Sequence, residues 1–298
     1  MHKNPLVTVI CLCYNHASFV VEALDSVINQ THSNVELIIA DDCSTDNSQK
    51  VIESWLKNHS DIPFIFNTQN RGNTKTFNQC LKLANGEYII DLAADDVLHP
   101  ECITKQLKGF AESTYKNLGL VYGNAEWISE KGQHIHDYFE TDKNRKGVAL
   151  QPTGNIYINL LNGKTKLCSV AALVKREVFD KLNGYDENLA YEDYDLWIRA
   201  SRVYNFDFVD EILVQKRKLN NSMYTLLLQK NNSKTRRFNY STYLILQKVF
   251  ILNQNKEEFK AMLKRIRVEM KIAFHTRDFL LLTKYVFLDL KVRAKTLY

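Results

Sequence analysis

Two pairs of adjacent carboxylates are the residues of this 298-residue chain best suited to chemistry. Asp41 and Asp42 follow one apolar run directly, and Asp95 and Asp96 follow another closely. Adjacent carboxylates repel each other, so a fold keeps them beside a crevice where a cation or a hydrogen-bond donor is bound. Because carboxylate oxygens are hard ligands, the second pair, Asp95 and Asp96, predicts a site for a divalent metal ion and a diphosphate.

Helix capping is the alternative explanation for these pairs, since Asp is a common N-cap residue. Asp46 and Gln49, however, already have capping-box spacing for a helix that begins near Ser48. Further along, Pro100 is well placed as the first residue of the next helix, which leaves the second pair in a connecting loop. We therefore favour binding over capping.

The sequence lacks the two common glycine-rich motifs that bind phosphate. The first predicted strand is not followed by G-x-G-x-x-G, and the sequence contains no G-x-x-x-x-G-K-[ST] motif. Neither a dinucleotide-binding loop nor a P-loop is therefore present to bind phosphates through its backbone amides. A metal ion held by carboxylates would serve instead.

The elements that must position these residues alternate between strand and helix. Apolar runs rich in β-branched residues predict strands at 6–13, 35–40, 64–66 and 87–92, and helical periodicity predicts helices at 19–30, 48–57 and 75–84. This alternation predicts an α/β fold with a doubly wound, mostly parallel, Rossmann-like sheet, whose ligands bind beyond the carboxyl ends of the strands. The middle of the chain is mixed, with strands near 118–122 and 169–175. From Leu226 onward the pattern predicts helices only.

The charge of the chain is unevenly distributed. Residues 230–298 contain 16 basic and 5 acidic residues, whereas residues 1–229 contain 23 basic and 29 acidic ones. A basic terminal segment is typical of a protein that meets an anionic surface, either a membrane leaflet or nucleic acid, and a solvated helical face is the alternative. We expect no nucleic-acid partner. The alternative is a basic-tailed α/β protein that is catalytically inactive or that binds nucleic acid.

One apolar stripe in this basic tail has helical spacing and is surrounded by Lys and Arg. It consists of Phe259, Met262, Leu263, Ile266 and Met270. Such a stripe could lie in the plane of an anionic leaflet, or it could pack against the catalytic body or a second subunit as in a homodimer. The sequence leaves these alternatives open.

The six cysteines lie in apolar or helical contexts without C-x-x-C or zinc-type spacing. Reduced thiols in a cytoplasmic protein are the simplest explanation. No apolar stretch approaches the roughly 18 to 20 residues of a membrane span. We therefore expect a cytoplasmic protein that is not integral to a membrane and could be peripheral on its inner face.

Six segments in order and spacing carry a resemblance to a known family. They are Val7 to Asn15, Ser26 to Thr31, Glu36 to Asp46, Asn70-Arg71-Gly72, Asn85 to Ile89 leading into Ala94-Asp95-Asp96, and Gly184-Tyr185-Asp186 with Glu192 to Arg199. With these segments the chain resembles the family 2 glycosyltransferases, inverting enzymes with the GT-A fold, over about residues 5 to 222.

The resemblance implies a role for each matching residue. Nucleotide-sugar binding would involve Leu12, Tyr14, Asp42, Arg71 and Asp95, with the Tyr14 ring against the base, Asp42 accepting a base N–H and Asp95 contacting the ribose. Asp96 would bind Mn²⁺ or Mg²⁺. Asp193 would be the general base that deprotonates an acceptor hydroxyl, with Glu192 and Trp197 on the acceptor side. The alternative for Asp193 is a helix cap.

The chain departs from the family pattern at two positions. Ala93 stands where many members have a further Asp, which reduces the motif to Asp95-Asp96, and Lys218 stands near where many members have a His. A cation cannot ligate a metal, although Lys218 could pair with the diphosphate directly.

The expected organisation follows from these motifs. Residues 1–105 would form the nucleotide-sugar half of a GT-A domain, residues 106–225 the acceptor half, and residues 226–298 a basic helical extension. The donor would be a nucleotide sugar, with UDP as the family-level expectation, and the acceptor a saccharide or a lipid-linked molecule.

Overall fold

A computed structural model of the chain describes residues 4–163, 165, 167–219, 228–230 and 232–297. The chain divides by packing into two compact units. Unit 1 consists of Met1–Gly154, Leu167–Tyr185 and Val203–Lys218, and unit 2 consists of Asn155–Lys166, Asp186–Arg202 and Leu219–Tyr298.

Unit 1 is built on a mixed sheet in which we distinguish nine strands. They are β1 (Val7–Cys13), β2 (Val35–Asp41), β3 (Phe64–Phe66), β4 (Tyr88–Ala93), β5 (Val97–Leu98), β6 (Leu118–Ile128), β7 (His134–Asp137), β8 (Ala172–Lys175) and β9 (Asn205–Arg217). The strand order is β3-β2-β1-β4-β8-β6-β9-β5, with β7 beside β6. Strands β1 to β4 are parallel to one another, whereas β8 runs antiparallel to both β4 and β6.

The apolar character of β1 explains its central position. Val7, Val9 and Ile10 are fully buried, as expected of a strand covered on both faces. The helices that follow the strands in this unit are α1 (Val20–Ile28), α2 (Ser48–Leu56), α3 (Asn73–Leu81), α4 (Cys102–Glu112) and α6 (Arg176–Leu182). The predicted doubly wound, mostly parallel α/β architecture is therefore confirmed. Helix α4 begins at Cys102 and not at Pro100, which was the predicted first residue.

Unit 2 is helical in its described residues. Its helices are α5 (Tyr157–Leu161), α7 (Asp193–Ala200), α8 (Ser233–Leu252), α9 (Lys256–His275) and α10 (Phe279–Leu297). Helix α9 packs against α5, α8 and α10. Leu226, where the helical tail was predicted to begin, lies outside the described residues.

The apolar stripe of the tail belongs to the core of unit 2. Phe259, Met262, Leu263 and Ile266 all lie on α9 and are buried. Of the alternatives that the sequence left open, the one in which α9 offers this stripe to a membrane is therefore wrong. The physical reason is that the stripe is already covered by the neighbouring helices of the same unit.

Residues 186–202 are tied to the basic tail by polar contacts within unit 2. Lys248 Nζ of α8 lies 2.6 Å from a carboxylate oxygen of Asp186 and 2.6 Å from one of Asp195. The Tyr191 hydroxyl lies 2.7 Å from Thr242 Oγ1. The segment that carries Asp193 therefore packs with residues 232–297, although the sequence places it with the acceptor half.

The described helices include none that is both long enough and apolar enough to span a membrane.

Candidate active site

The loops that follow β1 and β2 are joined by hydrogen bonds at the carboxyl edge of the sheet. The Asn15 side-chain oxygen accepts the backbone N–H of Thr45 at 2.7 Å, and the Asn15 backbone N–H donates to Ser44 Oγ at 2.8 Å. Asn15 has a φ of 59°, a left-handed conformation that Asn tolerates. Tyr14 beside it is 45% exposed, so its ring is accessible to a planar ligand.

Asp41 and Asp46 hold the second of these loops by local hydrogen bonds. The buried Asp41 carboxylate accepts the backbone N–H and the hydroxyl of Ser44. Asp46 accepts the backbone N–H of Ser48 at 2.8 Å, but the residue at the N-cap position of α2 is Asn47. The reciprocal arm of the predicted capping box is not formed, because the Gln49 side chain donates to Glu53 instead.

Asp42 organises the loop that carries the Asn70-Arg71-Gly72 motif. Its carboxylate is buried and accepts four hydrogen bonds of 2.8 to 3.0 Å, from Asn67 Nδ2, the Arg71 backbone N–H, Thr76 Oγ1 and the Gly72 backbone N–H. Three of these donors meet Oδ1 and only Gly72 meets Oδ2. Each carboxylate oxygen has two lone-pair positions, so Oδ1 meets one donor more than it has positions, whereas Oδ2 meets one donor and keeps one position for a ligand N–H.

Two further predicted donor-site residues lie near these loops. The Arg71 guanidinium is exposed and donates to the side chain of Gln79 at 2.9 Å. Gly72 has a φ of +83°, which favours glycine at this position. Leu12 is half-buried at the end of β1.

Asp95 is half-buried and faces a histidine. One of its carboxylate oxygens lies 3.7 Å from His16 Nδ1. Its backbone carbonyl accepts a hydrogen bond of 3.1 Å from Arg217 Nε. The Arg217 guanidinium is buried and also contacts Glu22, so it fixes the loop that carries both carboxylates.

Asp96 is buried and is paired with a lysine of β9. Its Oδ1 accepts the Arg217 backbone N–H at 2.8 Å, and its Oδ2 lies 3.4 Å from Lys216 Nζ. Burial raises the pKa of Asp96 to about 6, although the positive charge of Lys216 opposes that rise. The Lys216 ammonium also lies 5.6 Å from the centre of the Trp127 ring, within the range of a cation–π contact.

Sequence reasoning named Lys218 for the diphosphate and did not single out Lys216. Lys218 is exposed, with its backbone N–H bonded to Ile128, whereas Lys216 is the residue whose ammonium faces Asp96. Strand periodicity was the available signal: residues 216 and 218 share one face of an extended chain, but β9 ends at Arg217.

A second group of carboxylates lies around the β6–β7 hairpin of unit 1. Ligand atoms of Glu126, His134 and Asp137 lie within 4.8 Å of one another, a distance compatible with a metal ion. Arg145 already bridges the two carboxylates, at 2.8 Å from Glu126 and 3.1 Å from Asp137. Burial would raise the pKa of Glu126, but hydrogen bonds from Arg145, Gln215 and His134 lower it to about 2.

The predicted acceptor-side residues lie at the start of α7 in unit 2. Glu192 is the N-cap residue and Asp193 the first residue of the helix, where its carboxylate accepts the backbone N–H of Tyr194 at 2.6 Å. Asp193 is therefore not the N-cap itself. The Trp197 indole is buried like a core residue. Asp195 pairs with Arg199 at 2.7 Å, and its carboxylate is buried.

Comparison with solved structures identifies the fold. The mannosyltransferase PcManGT from Pyrobaculum calidifontis, in complex with GDP-Man and Mn²⁺, matches with a TM-score of 0.59 and 16% identity over 99% of this chain and 84% of its own. S. aureus TarS in complex with UDP-GlcNAc matches with a TM-score of 0.57 and 15% identity over 96% of this chain and 89% of its own. The fold of this chain is that of the GT-A glycosyltransferases.

Comparison with other sequences gives the family. An uncharacterised glycosyltransferase from Rickettsia felis is 31% identical over 218 residues, which are 72% of this chain. This chain spans about a third (34%) of the length of that relative. The model of the family described as glycosyl transferase family 2 matches residues 8–182, more than half of the chain. The chain therefore belongs to glycosyl transferase family 2.

Proposed function

We propose that this chain is an inverting glycosyltransferase that moves a sugar from a nucleotide sugar to a hydroxyl of a saccharide or lipid-linked acceptor. Such reactions build cell-surface polysaccharide or lipopolysaccharide. The observation that carries the proposal is the carboxyl edge of the sheet in unit 1, where the exposed ring of Tyr14 accompanies Asp42, Asp95 and Asp96. An edge of this kind is where α/β sheets bind nucleotides.

The donor-binding residues in this proposal are Leu12, Tyr14, Asp42, Arg71 and Asp95. The ring of Tyr14 would stack on the base, and the remaining lone-pair position of Asp42 Oδ2 would accept a base N–H. Asp95 would contact the ribose and the Arg71 guanidinium would contact a phosphate or the base. UDP is the proposed nucleotide, as in the UDP-GlcNAc complex of TarS, whereas PcManGT binds GDP-Man. A hexosyl or N-acetylhexosaminyl group is the proposed sugar, and both neighbours bind a sugar of one of these kinds.

The charges at Asp95 and Asp96 fit a divalent metal ion when a diphosphate is present. The two carboxylates and the Lys216 ammonium together leave one negative charge, to which a diphosphate adds two. The contact of Asp96 Oδ2 with Lys216, at 3.4 Å, is long, so this oxygen could ligate Mn²⁺ or Mg²⁺. A bound ion would neutralise charge on the diphosphate as the nucleoside diphosphate leaves.

Asp193 is the proposed general base, with Glu192 and Trp197 as proposed acceptor-side residues. The acceptor oxygen would attack the anomeric carbon as the bond from that carbon to the phosphate oxygen breaks, and Asp193 would take the hydroxyl proton. One displacement of this kind inverts the anomeric centre. With a lipid-linked acceptor, the enzyme would work as a cytoplasmic protein peripheral to the inner face of the cell membrane.

A thermal-shift panel tests donor binding. UDP, GDP, dTDP and CMP sugars are added with and without Mn²⁺, and we expect one donor to raise the melting temperature, because a ligand that binds only the native state stabilises it. Asp96→Asn should abolish the Mn²⁺-dependent part of the shift, because a neutral amide is a poor ligand for a hard cation. An equal shift in chelator and in Mn²⁺ for the wild-type protein would contradict the metal proposal.

The base is tested by separating binding from turnover. Asp193→Asn should bind the donor normally and lose turnover by about 10²- to 10⁴-fold, the usual effect of removing a general base. If this variant instead melts early but keeps a near-normal rate per folded molecule, Asp193 has a structural role at the start of α7 and is not the base.

A further inference from the structure

Helix α10 has apolar side chains on two opposite faces. One face packs inside unit 2 through the buried side chains of Leu281, Tyr285, Leu288 and Val292. The opposite face consists of Leu280, Phe287, Leu290 and Leu297, which follow helical spacing, with Phe279 at its beginning. These five side chains are between 58% and 80% exposed, and we call them the α10 outer face.

An exposed apolar face of this kind is unusual for a helix at the surface of a folded unit, where the outward side is ordinarily polar. Phe274, at the end of α9, extends it and is 66% exposed, with its ring 6.4 Å from that of Phe279. The face therefore continues from the α9–α10 turn along α10, whose 19 residues are about 28 Å long.

The charges beside the α10 outer face are positive. Lys284, Lys291 and Lys295 lie along one flank of the helix. The acidic residue of the helix, Asp289, is buried and paired with Arg293. Lys291 and Lys295 are exposed to solvent, whereas Lys284 is half-buried, with its ammonium 5.8 Å and 5.7 Å from the ring centres of Tyr240 and Tyr243.

The same imbalance holds over the three tail helices. Residues 232–297 contain 15 basic and 5 acidic residues. Three of the five carboxylates, Glu258, Glu269 and Asp289, are buried and paired with arginines. Arg265 and Arg293 belong to the same region, so their pairs with Glu269 and Asp289 are neutral, and the excess of positive charge is carried by the other basic side chains.

We infer that the α10 outer face docks on the anionic leaflet of a membrane, with the helix lying in the membrane plane. The leaflet supplies both features that this surface lacks, an apolar layer for the Phe and Leu side chains and negative charge for the exposed Lys291 and Lys295. A second copy of the chain would bring the same positive charge to the same face, and like charges oppose such a dimer.

Vesicle cosedimentation of the full chain tests this inference. We expect binding to vesicles of phosphatidylcholine with phosphatidylglycerol, weaker binding at high salt, and little binding to phosphatidylcholine alone. The double variant Phe287→Glu with Leu290→Glu should lower partitioning by about tenfold or more, because it places two charges where the apolar layer is expected. Ile251→Glu is the matched control, since Ile251 is also exposed on unit 2 but lies on α8. The partitioning of this variant should stay within about twofold of that of the wild-type protein.

A second pair of substitutions tests the lysines. Lys291→Ala with Lys295→Ala should weaken binding to the anionic vesicles by about 25-fold, at about fivefold for each cation. All substituted side chains are exposed, so the melting temperatures of the variants should match that of the wild-type protein. Donor-induced thermal shifts, measured on the same variants, report the proposed activity separately from docking.

Two results would overturn the inference. One is a wild-type protein that ignores anionic vesicles at low salt. The other is a wild-type dimer in light scattering that Phe287→Glu converts to monomers, since the α10 outer face would then be a protein interface.

Discussion

Asp42→Asn separates two roles of the same carboxylate, that of a ligand contact and that of an anchor for the loop of Arg71 and Gly72. The substitution keeps the shape of the side chain. It also replaces one acceptor oxygen by an NH₂ group, and the Gly72 backbone N–H lies 2.8 Å from Oδ2. Two donors would then face each other, so one hydrogen bond to a charged group is lost and a backbone N–H loses its partner.

The magnitude follows from this count. A hydrogen bond to a charged group contributes about 1.5 to 3 kcal/mol, and an unsatisfied buried donor costs a similar amount, so we expect a loss of about 3 kcal/mol in the free energy of unfolding. For a domain of about 150 to 250 residues, each kcal/mol changes the melting temperature by about 2 to 4 °C. The ligand-free variant should therefore melt about 6 to 12 °C below the wild-type protein.

Differential scanning calorimetry without any nucleotide measures this effect, and two further variants calibrate it. Asp61→Asn removes the same charge at an exposed position and should change the melting temperature by less than about 2 °C. Thr76→Val removes one donor to the Asp42 carboxylate and should cost about 1.5 to 3 kcal/mol, because this hydrogen bond is also to a charged group. If ligand-free Asp42→Asn has the same melting temperature as the wild-type protein, the anchoring role is refuted. If that variant also fails to bind the donor, Asp42 is a ligand contact only.

Three further substitutions test the packing described above. Lys248→Met removes the ammonium between two carboxylates of unit 2 and should lower the free energy of unfolding in urea by about 2 kcal/mol, whereas Lys260→Met at an exposed position should change it by less than about 0.5 kcal/mol. Gly86→Ala should be destabilising by about 1 to 3 kcal/mol in the same assay, because its Cβ would lie 2.5 Å from a backbone nitrogen. Because its pKa of about 2 in the folded protein is below its ordinary value, Glu126 contributes stability above about pH 4.5 that is lost as the pH falls towards 2. Arg145→Gln should raise that pKa and move the acid-unfolding midpoint, followed by circular dichroism, to higher pH; an unchanged midpoint would show that Arg145 does not stabilise the carboxylate.

The positions of the carboxylate pairs could be predicted from sequence because they depend on local pattern and one general rule. Apolar runs identify buried parallel strands, and the carboxyl ends of such strands meet at one edge of a sheet. Asp42, Asp95 and Asp96 follow those runs directly or closely, so their placement at this edge required no knowledge of distant contacts. The hydrogen-bond partners of these residues could not be predicted in this way.

Those partners are distant in sequence. The donors to Asp42 come from 25 to 34 residues further along the chain, and Lys216 lies 120 residues from Asp96. Such pairings depend on strand order and on the residue at which a strand ends, and the position of β9 in the sheet is a property of the whole of unit 1. Sequence reasoning therefore named Lys218 as a candidate partner of the diphosphate but did not indicate that Lys216 faces Asp96.

The basic tail shows the same division between what sequence determines and what the tertiary structure decides. Helical spacing identified the stripe on α9, but spacing states only that a face is apolar, and protein, lipid and a second subunit satisfy an apolar face equally well. The neighbours that cover Met262 and Ile266 decided that this stripe is core. On α10 the apolar residues occur on both faces, so no single stripe stood out in the sequence, and only the packing of Tyr285 and Leu288 against the unit left Phe287 outside. Burial depends on which surfaces meet, and that is settled by long-range packing, whereas the helices and strands themselves follow from the local order of apolar and polar residues.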